Sequence, residues 1–119
     1  MDESRLIQGG QRMIPVLEIL LRHAEAGSIE RMCDYRTSHV SPLIKELFND
    51  TDSVDVETDS LEHLHWLVNR AVNGCANALT FQDTPDYKEI FDLGIEQARS
   101  SIDRIKKKVA AYEPATAQV

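Results

Sequence analysis

A chain of 119 residues carrying 20 acidic and 13 basic side chains, for a net charge of −7, is the size of one domain. Its 42% apolar and 28% charged residues are ordinary for a globular protein, and no stretch approaches the roughly 20 apolar residues of a membrane span. The negative charge argues against non-specific binding to nucleic acid or anionic lipid, and with no leader-like segment in view the expectation is a cytoplasmic protein.

Apolar residues recur at helical spacing along the chain. In the first segment, Ser4 to Ala26, the residues Leu6, Ile7, Met13, Ile14, Leu17, Leu20, Leu21 and Ala24 share one wide face. Pro15 plots opposite that face, so the helix either kinks there or begins there. Gly27 suits a C-terminal cap and Ser28 an N-cap. Ser41 followed by Pro42 has the form of a new N-cap and first-turn proline, predicting a second segment, 29–48, broken near residues 37–41.

Residues 28–48 resemble a helix-turn-helix in their apolar positions Ile29, Cys33, Tyr35, Val40 and Leu43. The resemblance implies a transcriptional regulator, the alternative to the main reading below. It departs from the motif at Asp34, which stands where the turn usually has glycine, and its charges nearly balance. A groove-reading helix normally carries a positive excess, so nucleic acid is not the expected partner.

Residues 49–59 form an acidic stretch, read as a solvated loop. Counted from Asp50, the sixth and twelfth positions are Asp55 and Leu61, where a calcium loop of the EF-hand type needs glycine and glutamate. Asp59 and Glu62 have capping-box spacing and open the third helix, which ends near Phe81. Thr84 and Pro85 start the fourth, whose face carries Tyr87, Ile90, Phe91, Gly94, Ile95, Ala98, Ile102, Ile105, Val109 and Tyr112. Pro114 is expected to stop it, leaving 114–119 as a frayed tail beyond a single domain of residues 1–113. The expectation is an all-α protein, a small bundle of four to five helices, with Cys33 and Cys75 as reduced thiols.

The third helix is the unusual one. Its core face is Leu61, Leu64, Leu67, Val68, Ala71, Val72, Cys75, Ala78 and Leu79, with His65 at the edge of that face and His63 on the solvent side. Glu62 and His65 form one Glu-x-x-His of the kind that diiron bundles use, but no second copy follows, so no metal or cofactor is expected. In size and in carrying a histidine on a central helix, the chain is similar to histidine phosphotransfer domains. That family has a lysine and then a glycine soon after the histidine, and neither His63 nor His65 is followed by them.

Asn69, Asn73 and Asn77 recur every four residues along one ridge, flanked by Trp66 and Arg70. Asparagine is a poor helix former, and a merely solvated face would carry Glu, Lys or Arg. Such a ridge belongs either to an interface or ligand groove, or to a second buried side of the helix. The expectation is a non-enzymatic binding protein, a homodimer that contacts its partners through His65, Trp66, Asn69, Arg70, Asn73 and Asn77, with a protein or small molecule as a further partner. A second alternative rests on Glu89 and Asp92. Their Glu-x-x-Asp spacing resembles the all-helical nucleotide pyrophosphohydrolases, which implies a metal-dependent hydrolase, but the Glu-rich partner helix of that family is missing.

Overall fold

The computed structural model describes residues 3–48 and 63–117, and side chains within 5–48 and 63–111. Among the described residues every regular element is helical: α1 (Glu3–Glu25), α2 (Ile29–Tyr35), a π-helical turn (Arg36–Val40), α3 (Ser41–Phe48), α4 (His63–Thr80) and α5 (Tyr87–Ala117). No helix is long and apolar enough to cross a membrane among the residues described. The acidic stretch 49–59 and the Asp59–Glu62 capping box lie outside them.

α1 is continuous through Gly9, Gly10 and Pro15, so it does not begin at the proline. Pro15 is exposed, on the side away from the buried Leu6, Ile7, Met13, Leu17, Leu20 and Ala24. Its missing N–H therefore costs a bond only where water can serve the freed carbonyl. The helix ends as its sequence dictates. Gly27 has φ +74°, its N–H donates to the Ala24 carbonyl at 2.9 Å, and the Ser28 N–H donates to that of His23 at 3.2 Å. This is the paired closure of a glycine C-cap. Ser28 then accepts from the Arg31 N–H at 3.4 Å and caps α2.

The interruption expected near Pro42 is present, but it is a change of winding. Arg36 (φ −58°, ψ −47°) and Ser41 (φ −62°, ψ −43°) both stay right-handed helical, and the Ser41 N–H bonds to the Arg36 carbonyl, five residues back. Ser41 is thus inside a helix and is not an N-cap. A proline at 42 has no N–H for the Ser38 carbonyl, and its ring would strike that carbonyl in a regular helix; one wider turn accommodates both. Residues 29–48 consequently lack the turn that would divide two helices of a helix-turn-helix.

α4 is the central helix. His63, Leu64, His65, Leu67, Val68, Ala71, Val72, Gly74, Cys75, Ala78 and Leu79 are all buried. It runs antiparallel to α5, since Arg104, Gln97 and Gly94 meet His63, Arg70 and Gly74 in turn. The crossing is very close. A Cβ added at Gly74 would stand 2.7 Å from the Gly94 carbonyl oxygen, and one at Gly94 would stand 2.6 Å from that of Gly74. With Ala78 and Ala98 one turn on, Gly-x-x-x-Ala on both helices lets the backbones touch. α5 extends through Pro114 to Ala117, past the expected stop, because the carbonyl this proline leaves unbonded belongs to Ala110, which is exposed.

Surface ion pairs link the helices at Arg12–Glu46 (3.3 Å), Lys106–Glu18 (3.3 Å) and Arg99–Glu25. Solvent-exposed pairs of this kind contribute about 0–1 kcal/mol each, so the core carries the stability.

Candidate functional site

One strip of α4 is left uncovered by α1, α2, α3 and α5, and it is the amide ridge. Asn69 is half-buried, whereas Asn73 and Asn77 are exposed. Trp66, Asn69, Arg70 and Asn73 line an open cleft of about 220 Å³, closed on its far side by Gln97 of α5. Gln97 donates to the Arg70 backbone carbonyl at 3.0 Å, which fixes the α5 wall against the ridge. Among these lining residues there are three carboxamides, one indole and one guanidinium, and no carboxylate.

Trp66 is held before anything binds. Its ring stacks on His63 at a centroid distance of 4.6 Å and an interplanar angle of 21°, while the Arg70 guanidinium sits 5.1 Å from its centroid. Arg104 Nη2 lies 3.3 Å from His63 Nε2. The sequence Arg104–His63–Trp66–Arg70 is therefore one stacked ladder drawn from two helices. Cation–π contact with Trp contributes about 0.5–1 kcal/mol at exposed sites, enough to bias a rotamer.

Two residues of the expected site are placed elsewhere. Asn77 continues the ridge but does not line the cleft. His65 lies on the other side of α4, only 9% exposed, with its ring stacked on Phe48 at 4.7 Å and 1°. His63, expected on the solvent side, is 1% exposed. The close Gly74–Gly94 approach widens the arc of α4 that α5 covers, and that arc takes in His63. Gln97 and Arg104 were not visible as site residues, although Leu93, Gln97, Ser100 and Arg104 have the spacing of one stripe on α5.

Burial lowers the pKa of His65 by penalising the imidazolium. The unfolded chain then binds this proton more tightly than the folded one. The stability contributed by the neutral ring is complete above the ordinary histidine pKa of about 6.5 and is lost as the pH falls below it and through the lowered value of the folded protein. The melting temperature should fall on acidification from about pH 7.5 to 5.5, and fall less in His65→Phe. Equal declines in the two proteins would remove His65 as the cause.

Chemistry elsewhere is sparse. Burial, with the Glu25 charge second, pushes the Cys75 thiol up to about 12, so it is not a nucleophile near neutral pH. Glu89 and Asp92 are both exposed, and among the described residues no group of three metal-ligating side chains converges. A second cleft, about 330 Å³, sits on the opposite flank of α5 between Glu25, Phe91, Asp92, Ile95, Glu96 and Arg99. Its Arg99 is engaged by Glu25. No protein-family model matches this chain, and no curated protein or solved structure is significantly similar to it.

Proposed function

We propose that the protein is a non-enzymatic interaction module that self-associates through the exposed face of α4 and α5. The observation that carries this reading is the clamped, half-buried Trp66 opening onto a carboxamide cleft on a face that also bears exposed apolar side chains. Leu93 is 72% exposed one turn before Gln97, and Phe81, 47% exposed, lies in the turn that follows α4. A pre-positioned aromatic with an arginine beside it, amides around it and apolar groups at the margin has the composition of an interface centre. Asparagines at these positions weaken the helix, which is a cost that binding would offset.

Light scattering over a range of concentrations tests the reading. A dimer is expected, and Leu93→Glu should weaken it at least about tenfold. Because Leu93 is already so exposed, helicity should be unchanged and folding stability should move by no more than about 0.5 kcal/mol. A monomer at every concentration, or a dimer indifferent to Leu93→Glu and to charge introduced at Asn73, would overturn it.

A further inference from the structure

We infer that the amide ridge binds an extended, acidic segment of a partner protein, holding its main chain with Asn69, Asn73 and Asn77 and a carboxylate with Arg70. This goes beyond self-association and does not depend on it. The ridge has the pitch of an extended chain. Residues four apart on a helix rise by about 6 Å, so Asn69 to Asn77 spans about 12 Å. Alternate residues of an extended chain recur every 6.6 Å or so, and five residues therefore span about 13 Å with three N–H and C=O pairs on one side. A carboxamide both donates and accepts, so each asparagine can serve one such pair whatever side chains flank it. Among the described residues none of the three carboxamides is engaged by another protein group. A helix laid on the ridge would not answer it, because its main-chain groups are bonded internally. An extended segment carries them unpaired.

Charge selects the composition of that segment. In a chain of net charge −7, the cleft at Trp66 is lined by no carboxylate, whereas the cleft on the opposite flank of α5 has three, Glu25, Asp92 and Glu96. Arg70 is exposed, and among the described residues no carboxylate pairs with it. Its guanidinium is held over the Trp66 ring instead, 5.1 Å from the centroid. A guanidinium resting on an aromatic face keeps its N–H groups for a carboxylate brought from outside. An acidic partner meets complementary charge here and repulsion at the other cleft.

The chain's single tryptophan lines this cleft, so its fluorescence reads binding there. The probe is a capped peptide of alternating aspartate and valine, titrated into the full chain and into its Leu93→Gln variant. That substitution lies outside the cleft and removes competition from a second copy. A saturable change in Trp66 emission is expected, with an affinity that falls as salt is raised. Asn73→Ala and Asn77→Ala should each weaken binding at least about fivefold, and Arg70→Gln at least about tenfold. Alanine is the better helix former and both asparagines are exposed, so these variants should fold, as circular dichroism would verify. Asn77 is the decisive rung, because it continues the ridge without lining the cleft. Unchanged affinity in Asn77→Ala, or succinate binding as tightly as the peptide, would reduce the site to a small-anion cleft and overturn the inference. Equal binding of an alternating lysine–valine peptide would overturn it on charge. No saturable change in either protein would also overturn it, and a dimer seen by light scattering would then still stand on its own.

Discussion

Replacing Gly94 by alanine should destabilise the fold by about 2–3 kcal/mol, although the same change in an ordinary helix stabilises by about 0.5–1 kcal/mol. The sign reverses because of what the new methyl meets. It would stand 2.6 Å from the Gly74 carbonyl oxygen, 2.7 Å from the Ala78 nitrogen and 2.8 Å from the Ala78 Cα. These are backbone atoms of another helix, which no rotamer change can move aside. α4 and α5 must separate, and every contact along the central crossing loosens with them. Gly74→Ala should behave alike, since its methyl would lie 2.7 Å from the Gly94 oxygen and 2.8 Å from the Ala98 nitrogen. The double variant should lose less than the sum of the two, because helices already pushed apart accommodate a second methyl more easily. Gly9→Ala is the control: its methyl finds ordinary contacts, 3.5 Å to Phe48 Cζ and 3.6 Å to Leu47 Cβ, and should be neutral or stabilising. Urea denaturation of the four variants checks the set. A stabilised Gly94→Ala would show that the crossing is wider than the structure has it.

Phe48→Ala should lose about 3–5 kcal/mol, enough to leave a domain of ordinary stability with much of its population unfolded. Phe48 is fully buried and closes α3 onto the bundle, stacking on His65 of α4 and packing beside Gly9 of α1. Truncation would remove the transfer energy of the ring and leave a cavity between three helices. Phe48→Leu, which keeps most of the volume, should lose no more than about 1.5 kcal/mol. Thermal and chemical melts of both variants measure the difference. Equal losses would indicate that the site collapses around whatever occupies it.

Much of the fold was legible in the sequence because it depends on local chemistry. The apolar periodicities of α1, α4 and α5, the Gly27–Ser28 punctuation between α1 and α2, and the exposed position of Pro15 each follow from side chains within a few turns of one another. The disturbance before Pro42 was equally local, but its form was not. A helix can absorb a proline by ending or by widening one turn, and the choice depends on whether the flanking Val40, Leu47 and Phe48 can all stay buried, as they do. The amide ridge was visible for the same reason of spacing, since residues four apart on a helix must share a line.

Tertiary structure alone decided which surfaces are covered. A helical wheel gives each residue an angle but not the breadth of the neighbour that approaches it. Two glycines at one crossing, Gly74 and Gly94, bring α5 close enough to bury His63 and to set Arg104 and Gln97 beside the α4 strip. Nothing in the spacing around residue 65 could send His65 to Phe48, which lies on α3, while Trp66 stacks on His63 within α4 itself. The sequence by itself thus determined the helical segments, the Gly27 and Ser28 caps between α1 and α2, and the ridge of Asn69, Asn73 and Asn77. The depth to which α4 and α5 interpenetrate, and with it which polar groups share the cleft and which are shut inside, was decided by contacts between residues twenty or more apart, whose distance no local pattern encodes.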